Sequence, residues 1–350
     1  MLIRTSSNVV CSVSGARPLF VTMPPKNKRP RSPSLERQSS EAASNKTKKL
    51  KLLESHTLSS PFPDFSSPTA AEAYQVHNIL SEAHSDISLD TSTSDNAAST
   101  CGKVPDVLES LIGTILSQNT SSRNSTAAKH NLDKVFGRNN FAAIATADKA
   151  AVVESIKMGG LANKKAGVIQ RILHEVKERH GSYSLQHLAG VVKTEEGGDK
   201  TGEPKVFSDD EAMKELVSYD GVGPKTASCV LLFCLGRASF PVDTHVFRLS
   251  RLLGWVPSKA DRVTAQAHLD LKIPDDIKYG LHVLMVGHGR RCKGCKGPGK
   301  SDCVLKTWLR SRRGMKEEDL DELTLKIKHE TEEKLHGELP SSHSDHKIAR

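Results

Sequence analysis

The sequence lacks any apolar segment long enough to cross a membrane. Its longest nearly apolar run is 227–235, and Ser228 interrupts even that one. A transmembrane helix needs about 20 consecutive, mostly apolar residues. We therefore do not expect this chain to be an integral membrane protein.

The seven cysteines also lack the spacing of a disulfide framework. Their number is odd, and only Cys292, Cys295 and Cys303 form a cluster, which lies among Gly and Lys residues. This usage argues against a secreted disulfide-rich protein and indicates a reducing compartment. The cluster is the one group of cysteines whose spacing suggests metal ligands.

Segments with the alternating pattern of β-strands are nearly absent, whereas the periodicity of amphipathic helices recurs along the chain. The predicted fold class is therefore all-α. Beyond one helix at 71–84, the pattern predicts helices at 106–116, 122–135, 148–158, 164–180, 209–219, 225–235, 244–253, 260–271 and 275–287.

Excess positive charge is missing from most of the chain, although the formal net charge is +9. Residues 1–51 hold 11 of the 50 Lys and Arg but only two of the 41 Asp and Glu, so 52–350 carry 39 of each. If this part binds nucleic acid, it must present a basic face that acidic residues elsewhere offset.

Composition divides the chain into four parts. A tail rich in Ser, Pro, Lys and Arg is expected to be disordered. A polar segment with three Gly and a Pro interrupts the helical region and is predicted to be a surface insertion. The parts are a disordered basic tail (1–70), a helix plus polar linker (71–104), a core (105–305, with the insertion at 193–205), and a C-terminal helix with a charged tail (306–350).

Two basic clusters in the tail, 24–31 and 46–51, resemble a bipartite nuclear localisation signal and predict a nuclear protein. A solvated basic arm that touches the DNA backbone is the alternative for these clusters. Residues 1–22 contain Arg and Ser but no acidic residue, so a mitochondrial presequence is a second alternative.

A Gly221-Val222-Gly223 turn joins two predicted helices. Two glycines allow a tight turn whose N–H groups, together with the positive end of the following helix dipole, suit a phosphate. Many such pairs are ordinary turns, but flanking amphipathic helices are typical of a helix-hairpin-helix that grips the DNA backbone. Nearby, Lys225 read alone is a solvated helix residue, and Asp243 read alone is a helix N-cap.

Taken together, these segments resemble the endonuclease III branch of the helix-hairpin-helix (HhH-GPD) DNA glycosylases. The resemblance rests on 221–227 (GVGPKTA) followed by 241–249 (PVDTHVFRL), and it extends over roughly 105–303. Three further segments resemble this family, namely 111–120 (LIGTILSQNT), 159–166 (GGLANKKA) and 288–290 (HGR).

This resemblance implies a two-lobed all-α fold. One lobe, at about 111–235, would contain the helical hairpin, and the N-terminal and C-terminal helices would form the other. The active site would lie in the groove between them, with Lys225 on one lip and Asp243 on the other.

The resemblance further implies base excision from double-stranded DNA by a monomer. The damaged nucleotide would leave the stack, Lys225 would attack C1′ to give a Schiff base and then β-elimination, and Asp243 would accept the amine proton and stabilise charge on the sugar. Lys at this position implies a glycosylase with AP lyase activity. An oxidised pyrimidine is the expected substrate. Alternatives are another lesion (a mismatched thymine, 5-methylcytosine or an oxidised purine) or a noncatalytic DNA-binding module.

Further contacts follow from the same resemblance. Gln118 would fill the space of the flipped nucleotide, and Leu161 would wedge between bases of the opposite strand. Gln118 could instead cap a helix, and Leu161 could instead pack in the core. Gly221, Val222 and Gly223 would meet the backbone, and Arg290 could meet phosphates.

The cysteine cluster departs from the family, whose members usually carry four cysteines around a [4Fe-4S] cluster. Here the spacing is Cys292-x2-Cys295-x7-Cys303, with only three thiols. A fourth ligand from His288 or Cys101 is one alternative, and Zn bound by three Cys and one His is another. We expect a degenerate loop without a cluster, and a reaction that needs no cofactor.

Overall fold

Helices are the only regular secondary structure in the parts of the chain that the computed structural model describes. These parts are residues 59–89, 105–190, 207–297 and 302–314, together with 322, 325, 326 and 329. Their helices are α1 (Ala70–Ala83), α2 (Val107–Ser117), α3 (Ser122–Phe136), α4 (Phe141–Thr146), α5 (Lys149–Ile156), α6 (Ala162–His180), α7 (Asp209–Ser218), α8 (Pro224–Phe233), α9 (Thr244–Leu252), α10 (Arg262–Lys272), α11 (Lys278–Arg291) and α12 (Val304–Arg313). The predicted all-α fold class is confirmed.

Capping side chains fix where several helices begin. Thr69 before α1 and Ser208 before α7 each form a capping box with a glutamate three residues later, which satisfies two backbone N–H groups at once. Asp106 caps α2 by accepting a hydrogen bond from the Glu109 N–H at 2.7 Å. The starts of these helices could therefore be predicted from the sequence to within a residue or two.

Two differences from the predicted helices have local causes. The six-residue helix α4 was not predicted, because so short a segment does not complete two turns of apolar periodicity. The helix predicted at 275–287 begins instead with a short 3-10 turn, and α11 then continues to Arg291. This extension places Arg290 in the last turn of α11 and Cys292 directly after the helix.

Two separate hydrophobic cores divide the described helices into two lobes. The first core takes its buried residues from 107–231, which includes α2 to α8, and we call this part the hairpin lobe. The second takes its buried residues from 62–80 and 240–309, that is, from α1 and α9 to α12, and we call it the terminal lobe. Residues distant in sequence thus share the terminal core, as the two-lobed prediction requires.

The turn between α7 and α8 has buried side chains on one side and open space beside Gly223 on the other. Tyr219 and Val222 are buried, and the Val222 N–H donates to the Tyr219 carbonyl at 3.2 Å. Gly221 has φ +83°, and a Cβ there would lie 2.6 Å from Val168 Cγ1 of α6. Gly223 has an ordinary φ of −108° and no atom within 4 Å of such a Cβ. The two glycines of the hairpin therefore serve different purposes: the first allows close packing on α6, whereas the second is half-buried and has open space where a side chain would stand.

Several predicted features lie outside the described residues. These are almost all of the basic tail (1–58 of 1–70), most of the polar linker, the whole insertion at 193–205, and most of the C-terminal tail. The domain boundaries stay predictions. None of the described helices combines the length and apolarity that a membrane-spanning segment needs.

We predict that Gly221→Ala lowers the free energy of unfolding by about 2–4 kcal/mol, because the methyl group adds both left-handed strain and a clash with Val168. Gly223→Ala is the matched control, since it has room for a methyl group; we expect a change below about 1 kcal/mol. Urea unfolding of both variants measures the difference. Equal destabilisation by the two substitutions would contradict this account of the hairpin.

Candidate active site

Lys225 and Asp243 stand at the starts of two helices that belong to different lobes. Lys225 is the second residue of α8, directly after Pro224, and α8 packs in the core of the hairpin lobe. Asp243 precedes α9, which packs in the core of the terminal lobe. Both side chains are half-buried. The two residues predicted to be catalytic thus come from opposite sides of the division between the lobes.

Asp243 is an N-cap, as its position alone suggests, but capping uses only one of its carboxylate oxygens. Its Oδ1 accepts the N–H groups of His245 and Val246, both at 2.8 Å. This arrangement fixes the carboxylate at the helix start and does not by itself occupy Oδ2. The capping role and a role in chemistry are therefore compatible.

A buried histidine of α11, His282, experiences the charges of both residues. Burial, reinforced by the positive charge of Lys225, lowers the pKa of His282 to about 4, although the negative charge of Asp243 acts in the opposite direction. Its Nδ1 lies 2.8 Å from the carbonyl oxygen of Pro241, which can only accept, so Nδ1 carries the proton. A neutral imidazole thus stands within electrostatic reach of both predicted catalytic groups.

Sequence reasoning missed His282, because a single histidine within an apolar helix matches no motif. The available signal was weak: its helix is buried over much of its circumference, with Gly280, Leu281, Leu284 and Met285 all buried around it. A polar residue at such a position requires a partner. Only the fold identifies the Pro241 carbonyl as that partner.

Gln118 lies beside the start of α8. Its Nε2 donates to Thr226 Oγ1 at 3.0 Å, next to Lys225 in sequence. It also follows the last residue of α2, and its backbone N–H bonds the Ile115 carbonyl. Gln118 is therefore the C-cap of α2, and its side chain also lies beside the residue that follows Lys225.

Leu161 is exposed on a strained turn. Its side chain is 54% exposed, which excludes the core-packing alternative. Its φ of 51° is in the left-handed region, as is the φ of 51° at Asn119, directly after Gln118. Non-glycine residues in this region cost of order 1 kcal/mol or more and cluster at functional sites. Each of the two turns predicted to face DNA, the one after Gln118 and the one at Leu161, thus contains a strained left-handed residue.

A buried ammonium group joins these two turns. Lys165 is 3% exposed, and its Nζ donates to the carbonyls of Leu116 and Gly159 at 2.7 and 2.9 Å and to Thr120 Oγ1 at 2.6 Å. Thr120 Oγ1 in turn lies 2.6 Å from the Gly159 carbonyl. Burial lowers the pKa of Lys165 to about 8, so the group is still largely protonated at pH 7.

Arg290 reaches from the terminal lobe to the hairpin lobe. Its guanidinium donates to Ser122 Oγ, at the start of α3, at 3.2 Å. Just before it, Gly289 lies so close to His245 that an added Cβ would be 2.8 Å from the His245 Cβ. This contact places the exposed Arg290 next to the helix that Asp243 begins.

The three clustered cysteines meet a fourth donor, His288. The ligand atoms of His288, Cys292, Cys295 and Cys303 all lie within 4.8 Å of one another, so the group could bind a metal ion. Sequence spacing could not restore four thiols, because the fourth donor is an imidazole on the preceding helix. The loop expected to be degenerate thus contains a full four-donor set.

We predict that Lys165→Met destabilises the protein by about 2–4 kcal/mol, because it removes three buried hydrogen bonds of the ammonium group and leaves the Leu116 carbonyl without this donor. Lys164→Met is the matched control: Lys164 is the preceding residue and is exposed, so its loss should cost little. Urea unfolding at pH 7 measures both. If the two variants unfold at the same urea concentration, Lys165 does not hold the turns together.

We also predict a pH dependence that His282 causes. The unfolded chain takes up a proton on this histidine near pH 6.5, whereas the folded chain resists it down to about pH 4. Stability is therefore lost as the pH falls through this window, by up to about 3 kcal/mol. His282→Asn keeps a donor for Pro241 but cannot titrate, so the stability difference between wild type and variant should shrink from pH 7.5 to pH 4.5. A difference that stays constant in urea unfolding would refute this assignment.

Comparison with known proteins identifies the family. The family model for the HhH-GPD superfamily base excision DNA repair protein matches residues 112–274. The Arabidopsis thaliana protein named "Putative DNA glycosylase At3g47830" is 40% identical over 190 residues, which are 54% of this chain and 59% of that relative. The chain thus spans less than two thirds of this relative's length.

Endonuclease III of Thermotoga maritima is 30% identical over 204 residues, which are 58% of this chain and 83% of that enzyme. Among solved structures, a non-covalent endonuclease III–DNA complex is 20% identical, with 68% of this chain and 94% of that chain covered and a TM-score of 0.49. On its sequence relatives and its family match, the chain belongs to the endonuclease III-like branch of the HhH-GPD superfamily of base excision repair DNA glycosylases.

Proposed function

We propose that this protein is a bifunctional glycosylase and AP lyase that removes an oxidised pyrimidine from double-stranded DNA. The observation that supports the proposal is that Lys225 and Asp243 begin helices of different lobes and both act electrostatically on the buried His282. One helix start brings an amine and the other a carboxylate, and a purely DNA-binding hairpin needs neither. A relative named "DNA glycosylase/AP lyase ROS1", 31% identical over 186 residues, supports the lyase part, although the match spans only 12% of that protein.

In the proposed reaction, the neutral amine of Lys225 attacks C1′ of the deoxyribose. The glycosidic bond breaks, and the base leaves with the bonding electron pair and takes up a proton. Loss of the amine proton to Asp243 and opening of the sugar give a Schiff base between Nζ and C1′. Abstraction of a proton at C2′ then expels the 3′ phosphate, and hydrolysis of the imine frees the enzyme.

The neutral His282 suits this chemistry. A protonated imidazole so close to both groups would repel the ammonium and compete for the carboxylate, whereas a neutral one leaves the Asp243 charge available to Lys225. The start of α8 also places Lys225 near the positive end of a helix dipole, which favours loss of the amine proton. These two effects act in opposite directions on the Lys225 amine: the Asp243 charge stabilises the ammonium form and can accept its proton, whereas the helix dipole favours the neutral amine that attacks C1′.

Recognition of DNA would use both lobes. The half-buried backbone at Gly223 would bind a phosphate in the hairpin lobe together with Gly221 and Val222. Arg290 would meet a phosphate from the terminal lobe. Gln118 and the exposed Leu161, fixed together through Lys165, would fill the gap left by the flipped nucleotide and wedge the opposite strand.

Oligomeric state and cellular location complete the proposed function. We propose that the protein acts as a monomer on nuclear DNA, with the basic clusters at 24–31 and 46–51 as the import signal and a mitochondrial presequence at 1–22 as the alternative. Import of a fluorescent fusion with either segment deleted tests this. These segments lie outside the described residues.

We predict that Lys225→Gln abolishes borohydride trapping of the enzyme on DNA that contains an oxidised pyrimidine, because no amine remains to form the Schiff base. Asp243→Asn should slow base release by about 10²–10⁴-fold. It should leave the melting temperature nearly unchanged, since Asn caps a helix as well as Asp does. Gel assays of trapping and single-turnover base release measure these effects.

The exposed Lys214 of α7 supplies the control, and Lys214→Gln should trap at the wild-type level. Full trapping by Lys225→Gln would refute the nucleophile. A panel of duplexes, each with one lesion, tests the substrate: cutting of a mismatched thymine, 5-methylcytosine or an oxidised purine alone would keep the chemistry and replace the proposed base.

A further inference from the structure

The four donors at the end of α11 form a small, buried cluster. His288 Nε2 lies 3.0 Å from Cys295 Sγ and 3.7 Å from Cys303 Sγ, and the two sulfurs are 3.1 Å apart. His288, Cys295 and Cys303 are each 2% exposed, and Cys292 is half-buried. Three thiols and an imidazole gathered this closely are typical of a metal site rather than of a hydrophobic core.

The size of this cluster does not fit the iron–sulfur cluster that the family implies. In a [4Fe-4S] cluster each ligand binds a different iron, so the protein ligands stand at the corners of the whole cluster, roughly 6 Å apart. Here all four ligand atoms lie within 4.8 Å of one another. A single tetrahedral ion with Zn–S bonds of about 2.3 Å needs sulfurs only about 3.8 Å apart.

The surroundings of His288 also match those of a metal ligand. Its other ring nitrogen, Nδ1, lies 2.8 Å from Nε2 of His84, the residue that ends α1. Metal-binding histidines characteristically use their second nitrogen in such a hydrogen bond, which fixes the ring and its tautomer. With Nδ1 donating to His84, the lone pair of Nε2 points toward the three thiols.

From this geometry we infer that His288, Cys292, Cys295 and Cys303 bind one Zn²⁺ ion, through Nε2 and three thiolate sulfurs, in place of an iron–sulfur cluster. Four protein ligands close the coordination sphere, so the ion is structural and takes no part in the reaction. On binding, the three thiols release their protons to solvent and no electron is transferred.

The zinc site would connect the helices of the terminal lobe that lie nearest the C-terminus. It joins α11, the segment that follows it and the start of α12 in one coordination sphere. Arg248 of α9 donates to the Cys295 carbonyl and, at 3.0 Å, to the Gly289 carbonyl. Because α9 begins at Asp243 and α11 carries Arg290, zinc would hold both of these helices in place.

Metal analysis of the full chain tests the inference directly. The protein is expressed with both iron and zinc supplied, and purified without oxygen through a tag that contains no histidine. We expect about one zinc per chain and almost no iron or acid-labile sulfide. Four irons with sulfide and an absorbance shoulder near 400 nm, or metal-free protein with a disulfide between Cys295 and Cys303, would each overturn the proposal.

Variants identify the ligands, and zinc content remains the readout. Cys295→Ser and His288→Ala should lose zinc, whereas His288→Cys should retain it because a fourth thiolate replaces the imidazole. Cys101→Ser is the control, since Cys101 was the other candidate for fourth ligand, and it should retain one zinc. Loss of zinc from Cys101→Ser, or its retention by His288→Ala, would overturn this ligand set.

Cobalt substitution provides a second measurement that does not depend on variant stability. The wild-type protein loaded with Co²⁺ should show the visible bands of a tetrahedral ion and near-ultraviolet charge transfer from three thiolates. In His288→Cys the charge-transfer band should grow by about one third, as four thiolates replace three. Bands of an octahedral ion would contradict a closed four-coordinate site.

Discussion

The candidate site depends on one buried, uncharged imidazole. His282 contacts Phe233 of α8 in the hairpin lobe and the Pro241 carbonyl just before α9 of the terminal lobe, and the charges of Lys225 and Asp243 both reach it. Burial keeps it neutral, and the Pro241 carbonyl fixes which nitrogen carries the proton. A charged group in its place would have to be balanced by the carboxylate that the proposed reaction uses.

A second constraint lies under the two exposed turns. Asn119 and Leu161 are left-handed residues, and such conformations persist only where surrounding contacts outweigh their cost. Lys165 and Thr120 supply these contacts by tying both turns to the end of α2. This arrangement explains how a large apolar side chain can stay exposed on a rigid support, as a wedge between bases requires.

The terminal lobe has a different problem, because its elements come from both ends of the described chain. Its core must join α1 with α9 to α12, and few of these contacts are local. The histidine pair His84–His288 and the cysteine cluster connect α1, α11 and the start of α12. The proposed zinc ion would add a connection between these distant segments, and it would help to position Asp243 without taking part in the reaction.

The sequence by itself determined most of the helices and the family, and it indicated Lys225 and Asp243 as the candidate catalytic residues, because periodicity, caps and the order of short motifs are local properties. It also indicated Gly221 as a turn residue, although not that Val168 is what excludes a side chain there. Tertiary structure alone decided that Leu161 is exposed, that Lys165 joins two turns, that the charges of both catalytic candidates reach the buried His282 and that His288 completes the four-donor set with the cysteines. Each of these facts depends on which distant segments pack together, and no spacing along the chain encodes such a distance.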